Sequence, residues 1–207
     1  MSACRAFRRP VPRRRTTLLA ATTALAALSL TACGSGDGPK SGGQTQFVQG
    51  TGGVSVVNDK NSRQQAPDLS GKTLDGKALD VAKDYKGKIV VFNVWGSWCS
   101  PCRAEAKNLV TVANAYKDKG VQFVGLNTRD PDPAPAIKFE KEFEVPYPSL
   151  HDSGGRVLLR FPKGSLNPQA IPSTVFIDRE GRIAARAIKA LSEEELRKTL
   201  DPLVAEK

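Results

Sequence analysis

From residue 66 onward, apolar residues recur with two alternating periods, one suited to strands and the other to helices. Residues 88–95 (KIVVFNVW) run apolar almost without a break, the pattern of a strand buried on both faces. Residues 100–119 space Ala104, Leu109, Val112, Ala113 and Tyr116 as one side of a helix, and Gly120 supplies its stop. Residues 121–128 (VQFVGLNT) make the next buried strand. Ile137, Phe139 and Phe143 mark the apolar side of a helix over 134–143, led in by Pro131, Pro133 and Pro135. A short helix is expected over 156–161.

Turn residues organise the rest. Leu74-Asp75-Gly76-Lys77 has the Asp-Gly pair that favours a tight hairpin. Residues 174–178 (TVFID) and 182–188 flank Arg179-Glu180-Gly181, so they pair antiparallel and add an edge to the sheet. Ser192 and Glu195 form a capping box that opens a final helix, which Pro202 kinks or ends. The fold class that follows is α/β: a three-layer sandwich whose central mixed sheet, parallel in its first half, is flanked by helices. Roughly 140 residues suffice for one such core.

What precedes residue 66 reads differently. Residues 34–65 are rich in Gly, Gln, Ser and Asn, with a short apolar patch at Val54, Val56 and Val57; they suit a flexible tether carrying one loosely docked strand. Residues 1–33 begin with Arg5, Arg8, Arg9, Arg13, Arg14 and Arg15 and no acid, followed by an apolar run from Thr16 to Leu30. That layout is a secretory signal, too short and weakly apolar for a membrane span, and the unbroken apolar block favours it over a transit peptide or a basic arm. Arg14-Arg15 leaves twin-arginine export open. Leu30-Thr31-Ala32-Cys33 resembles a bacterial lipoprotein box, which implies that Cys33 becomes a lipidated N-terminus and that the protein sits outside the cytoplasm, tethered to the membrane.

Charge then loses most of its weight. The formal charge is +10, and setting aside the six arginines of residues 1–33 leaves +4. A surplus of that size, without a basic stripe and interleaved aromatics, gives no support to nucleic-acid binding.

The cysteines gain weight instead. Of four, Cys4 and Cys33 fall in the leader, so only Cys99 and Cys102 belong to the folded part. A bridge closing so short a loop is a poor staple. A metal site needs more ligands than the single histidine, His151, can add, so no metal and no cofactor are expected. A redox pair remains. Cys99 falls where strand 88–95 gives way to the helix, at the positive end of the helix dipole, which favours a thiolate. Pro101 suits the first helical turn, and Cys102 lies one turn on, within disulfide reach. Cys99 is expected to be the exposed attacking sulfur and Cys102 the buried one that resolves the mixed disulfide.

Trp98-Cys99-Ser100-Pro101-Cys102, the preceding VVFNVWGS and the later IPSTVFIDREGRI together resemble the thioredoxin fold. More narrowly they resemble the TlpA-like extracytoplasmic thiol-disulfide oxidoreductases, over about residues 66–205. The resemblance implies that Pro172 is a cis-proline facing the cysteines and that Ile171 offers backbone groups to an incoming peptide. It also implies that Trp98 shields Cys99, and that Glu105 accepts the proton of Cys102. Cytoplasmic thioredoxins carry a buried Asp six positions before the first cysteine; here that position is Asn93, which moves the burden to Glu105. The implied partners are protein thiols and disulfides, including those of cytochrome c maturation, and a membrane thiol protein as electron donor. The implied direction is reduction. A thiol peroxidase on the same fold and a non-catalytic binding lipoprotein are the competing readings. His151 is expected in a loop far from both motifs.

Overall fold

The computed structural model describes residues 47–50 and 53–206. The expected leader, Cys33 and residues 34–46 of the tether lie outside the described residues.

Seven strands make one mixed sheet in the order β1-β2-β9-β8-β5-β6-β7. They are β1 (Val48–Gln49), β2 (Val54–Val56), β5 (Ile89–Trp95), β6 (Val121–Thr128), β7 (Ser149–Asp152), β8 (Ser173–Ile177) and β9 (Ile183–Ala187). β5, β6 and β7 run parallel; β8 pairs antiparallel with β5 on one side and β9 on the other. A separate hairpin, β3 (Ser70–Lys72) with β4 (Ala78–Asp80), turns through Gly76 at φ 83°, where a side chain would be strained.

Alternation along β5 sorts the molecule into layers. Ile89, Val91, Asn93 and Trp95 face one way and meet α2 (Ser100–Tyr116), α3 (Ala134–Phe143) and α4 (Glu193–Ala205). Val90, Phe92 and Val94 face the other way, toward the β3–β4 hairpin, α1 (Val81–Asp84) and a 3-10 turn at Leu158–Arg160. This is the thioredoxin-like sandwich, a central mixed sheet with helical layers, and all three long helices crowd the face that carries Asn93.

Several elements depart from the sequence reading. The hairpin of β8 and β9 is not an edge: β8 lies beside β5 at the centre, and β2 continues the sheet beyond β9. Residues 54–56, expected as a loosely docked strand within the tether, are the β2 strand, and Val54 and Val57 are buried in the core rather than loosely held. Their docking is fixed by Arg63, whose buried guanidinium pairs with Asp178 at 3.0 Å and with Glu206 at 2.7 Å. Pro202 does not end the last helix, which continues to Ala205 with the proline inside it. β7 had no counterpart in the sequence reading. Its four residues, SLHD, are too few and too mixed to show a period.

Candidate active site

Cys99 is the N-cap of α2, and its Sγ accepts from the backbone N–H of Cys102 at 3.2 Å. The two sulfurs form a disulfide, with Cα atoms 5.2 Å apart. Pro101 sits in the first helical turn, where its missing N–H removes nothing. The same unpaired N–H groups that cap on the sulfur here would stabilise negative charge on it once the bond is reduced.

Exposure does not separate the two cysteines as expected. Cys99 is 3 % exposed and Cys102 2 %. Cys99 is drawn into a small cluster with Leu74, Trp95, Ala136 and Phe139, with Ile171 packed against it. In the oxidised form it is covered like its partner, so the asymmetry between the sulfurs is their place on the helix.

The rim is built from two loops. Trp98 stands 54 % exposed beside Cys99 and donates its indole N–H to the Arg129 carbonyl at 3.2 Å, with the Arg129 guanidinium over the ring. Ile171-Pro172 is a cis peptide bond, in the segment leading into β8. The Ile171 side chain packs against the cysteine cluster.

Glu105 lies on the buried stripe of α2, with Cys102, Ala106, Leu109 and Val112 at helical spacing. It is only 1 % exposed. Oε1 accepts from the Asn93 side-chain amide at 2.9 Å and Oε2 from the Leu191 backbone N–H at 2.8 Å. Asn93 also donates to Thr174, its register partner on β8. Burial pushes the Glu105 carboxyl up to about 7, although both hydrogen bonds pull the other way. A carboxyl poised there can exchange a proton near neutral pH. Cys102 and Asn93 line a cavity of about 10 Å³ with Trp95, Phe139 and Tyr147, space on the order of one water. Asn93 thus both lines this cavity and contacts Glu105.

His151 was misplaced by the sequence reading. It lies on β7, opposite Asn127, and its Nε2 contacts the Asp130 carbonyl at 2.8 Å. Asp130 in turn holds Ser97, two residues before Cys99. Neither residue belongs to a recognisable motif: the pairing of β6 with β5 brings Asp130 to the site, and that of β7 with β6 brings His151 to Asp130.

Among the described residues no group of three His, Cys, Asp or Glu side chains is placed to hold a metal. A cavity of about 530 Å³ between β2, β9 and α4 touches none of the residues just described. The site is a shallow rim around a disulfide and suits an extended chain better than an enclosed small molecule.

Comparison with known proteins agrees with this geometry. The redoxin family model matches residues 61–201. Thiol-disulfide oxidoreductase ResA of Bacillus cereus is 30% identical over 141 residues, 67% of this chain and 78% of the relative. Thiol:disulfide interchange protein HelX of Rhodobacter capsulatus is 34% identical over 144 residues, 69% of this chain and 76% of the relative. Among solved structures, a DsbF homologue from Corynebacterium diphtheriae superposes with a TM-score of 0.69 at 30% identity, covering 78% of this chain and 100% of that one. A secreted thiol-disulfide isomerase from Corynebacterium glutamicum gives 0.70 at 29%, covering 80% and 100%.

Proposed function

Since the chain belongs to the redoxin family, in its TlpA-like branch of extracytoplasmic thiol-disulfide oxidoreductases, we propose that it is a membrane-tethered reductase of protein disulfides working through Cys99 and Cys102. That it is a thiol-disulfide oxidoreductase is established by its relatives and its cysteine pair. The direction, the tether and the roles of single residues are the proposal.

In the reduced protein the Cys99 thiolate attacks one sulfur of a substrate disulfide. A new S–S bond forms between Cys99 and that sulfur, and the substrate's other sulfur leaves as a thiolate that takes up a proton. Cys102 then gives its proton toward Glu105, and its thiolate attacks Cys99. The second substrate thiol is released, the enzyme is left with the Cys99–Cys102 disulfide, and two electrons have passed to the substrate. A membrane thiol protein restores the dithiol. Trp98, Ile171 and Pro172 line the approach, with the Ile171 backbone offered to the incoming strand. Cys33 carries the lipid, and apocytochrome c is among the disulfide proteins served.

The observation that carries this reading is the capping contact: the Cys102 N–H points at Cys99 Sγ, so the helix end stabilises charge on Cys99 and not on Cys102. Replacing Cys102 by Ser in the full chain tests it. Covalent complexes joined through Cys99 are expected to accumulate in cells and to dissolve with dithiothreitol. Their absence, or their formation through Cys102 in a Cys99→Ser variant, refutes the order of attack. Identifying the trapped proteins tests the substrate class. Labelling with a lipid precursor, abolished by Cys33→Ala, tests the tether.

A further inference from the structure

Behind the Cys99 loop lies a buried carboxylate that the mechanism does not use. Asp130 follows β6 and is 4 % exposed. Its Oδ2 accepts from the Ser97 backbone N–H at 2.9 Å and from the Asn127 side-chain amide at 2.6 Å, and its Oδ1 accepts from the Ser97 hydroxyl at 2.7 Å. Three hydrogen bonds thus converge on this carboxylate from the chain around it. No Lys or Arg pairs with it among the described residues. His151, the titratable group that faces it from β7, meets its backbone carbonyl and not its carboxylate.

The chain around it is held as firmly. Arg129 adopts a left-handed backbone at φ 59°, and its carbonyl takes the Trp98 indole N–H. The Cys99 N–H bonds back to the Gly96 carbonyl at 3.1 Å, closing the turn. Two consecutive residues of one loop thus grip the two residues that precede Cys99. Successive Cα atoms are about 3.8 Å apart, so two steps from Ser97 keep the Asp130 charge within roughly 15 Å of the Cys99 sulfur. The nearby cations, Arg103 and Arg129, carry their charge in water, where it is screened; that of Asp130 acts through protein.

We propose that Asp130 is a positioning residue for Cys99: it fixes the loop that carries the sulfur and sets a negative charge behind it, which opposes formation of the thiolate. The inference rests on the reading of Cys99 as the attacking sulfur. It gives the site two opposed fields, the helix end drawing charge onto the sulfur and Asp130 resisting it. A stronger nucleophile and a dithiol more ready to be oxidised are the result, because a thiol of higher proton affinity attacks harder and leaves less easily.

The test is the pH profile of Cys99 alkylation by iodoacetamide. In that reaction the thiolate displaces iodide to form a thioether. The reduced full chain carrying Cys102→Ser is used, with the Cys99 peptide followed by mass spectrometry, since Cys4 and Cys33 also react. Asp130→Asn is expected to move the midpoint of the profile to lower pH by about one unit, making Cys99 about three- to fourfold more reactive on the acid side, since the more abundant thiolate is also the weaker nucleophile. Ser97→Ala, which keeps the charge, is expected to leave the midpoint in place while lowering the fluorescence anisotropy of Trp98. An Asp130→Asn profile that coincides with its parent or moves to higher pH overturns the charge. Unchanged anisotropy in Ser97→Ala overturns the positioning. Where circular dichroism shows Asp130→Asn unfolded, Asp130→Ser carries the same expectation and the same refutation. A parent whose Cys99 has the midpoint of an ordinary thiol, near 8.5, and traps no partner refutes the underlying reading instead.

Discussion

Replacing Glu105 by Gln should remove a pH dependence of stability whose sign and size follow from burial. The carboxyl, 1 % exposed, is raised from an ordinary 4.5 to about 7. It holds its proton more tightly folded than unfolded, so folded protein binds more protons between those two values, and stability falls as pH rises through them. A displacement of that size corresponds to about 3 kcal/mol, present in full below about 4.5 and lost above about 7. Gln cannot ionise, so the variant lacks this fall. Its amide also fits: Asn93 can reverse its side chain to accept from the new N–H₂, with Thr174 donating in turn, while the Gln oxygen keeps the Leu191 N–H. Guanidinium denaturation of both oxidised proteins at a series of pH values from 4.5 to 8 is the assay. Relative to wild type, the variant should gain about 3 kcal/mol across that range, whatever the offset at either end. Differences that stay constant with pH would refute the claim that this carboxyl is buried uncompensated.

Function should answer to the same group and its neighbours. Glu105→Gln should slow release of the mixed disulfide by roughly 10²-fold or more and flatten its rise with pH near 7, read by quenched-flow of a fluorescent disulfide peptide. Trp98→Ala should let small thiols reduce the Cys99–Cys102 bond severalfold faster while raising KM for a protein disulfide, since the exposed ring both covers and receives; stopped-flow emission separates the two effects. Arg63→Ala should cost roughly 2–3 kcal/mol in denaturant unfolding, because buried Asp178 keeps only Arg182 as a pairing cation, while Glu206 keeps Lys60. Gly125→Ala should cost about 1–3 kcal/mol, since a Cβ there would sit 2.1 Å from Ser149 Oγ and 2.7 Å from Trp95 Nε1.

What could be read from the sequence was local. The apolar run of β5 and the helical spacing of α2 placed Cys99 at their junction, and each held because burial on both faces of a strand, or along one stripe of a helix, leaves a strong period. Pro172 and Glu105 were found through a family resemblance, and the structure puts Glu105 deeper than a charged residue beside Lys107 suggests. What could not be read was order and company. A hairpin pattern shows that β8 and β9 pair, and nothing in it says which neighbour each takes on its outer side; in the fold β8 takes β5 and so lies at the centre. The strand at Val54, Val56 and Val57 was legible but the firmness of its docking was not, because its anchor, Arg63, finds its partners 115 and 143 positions away. Asp130 and His151 escaped for the same reason: Asp130 meets Ser97 only once β6 lies beside β5, and His151 reaches Asp130 only once β7 lies beside β6.

The amide of Leu191 is a reporter already installed in the molecule. Its proton points at a single carboxylate oxygen 2.8 Å away, so its resonance should track whether that oxygen is charged. Following this one peak through a titration, in oxidised and reduced samples alike, would show how the redox state of the sulfurs alters the acidity of the group beneath them. No label need be placed on either cysteine.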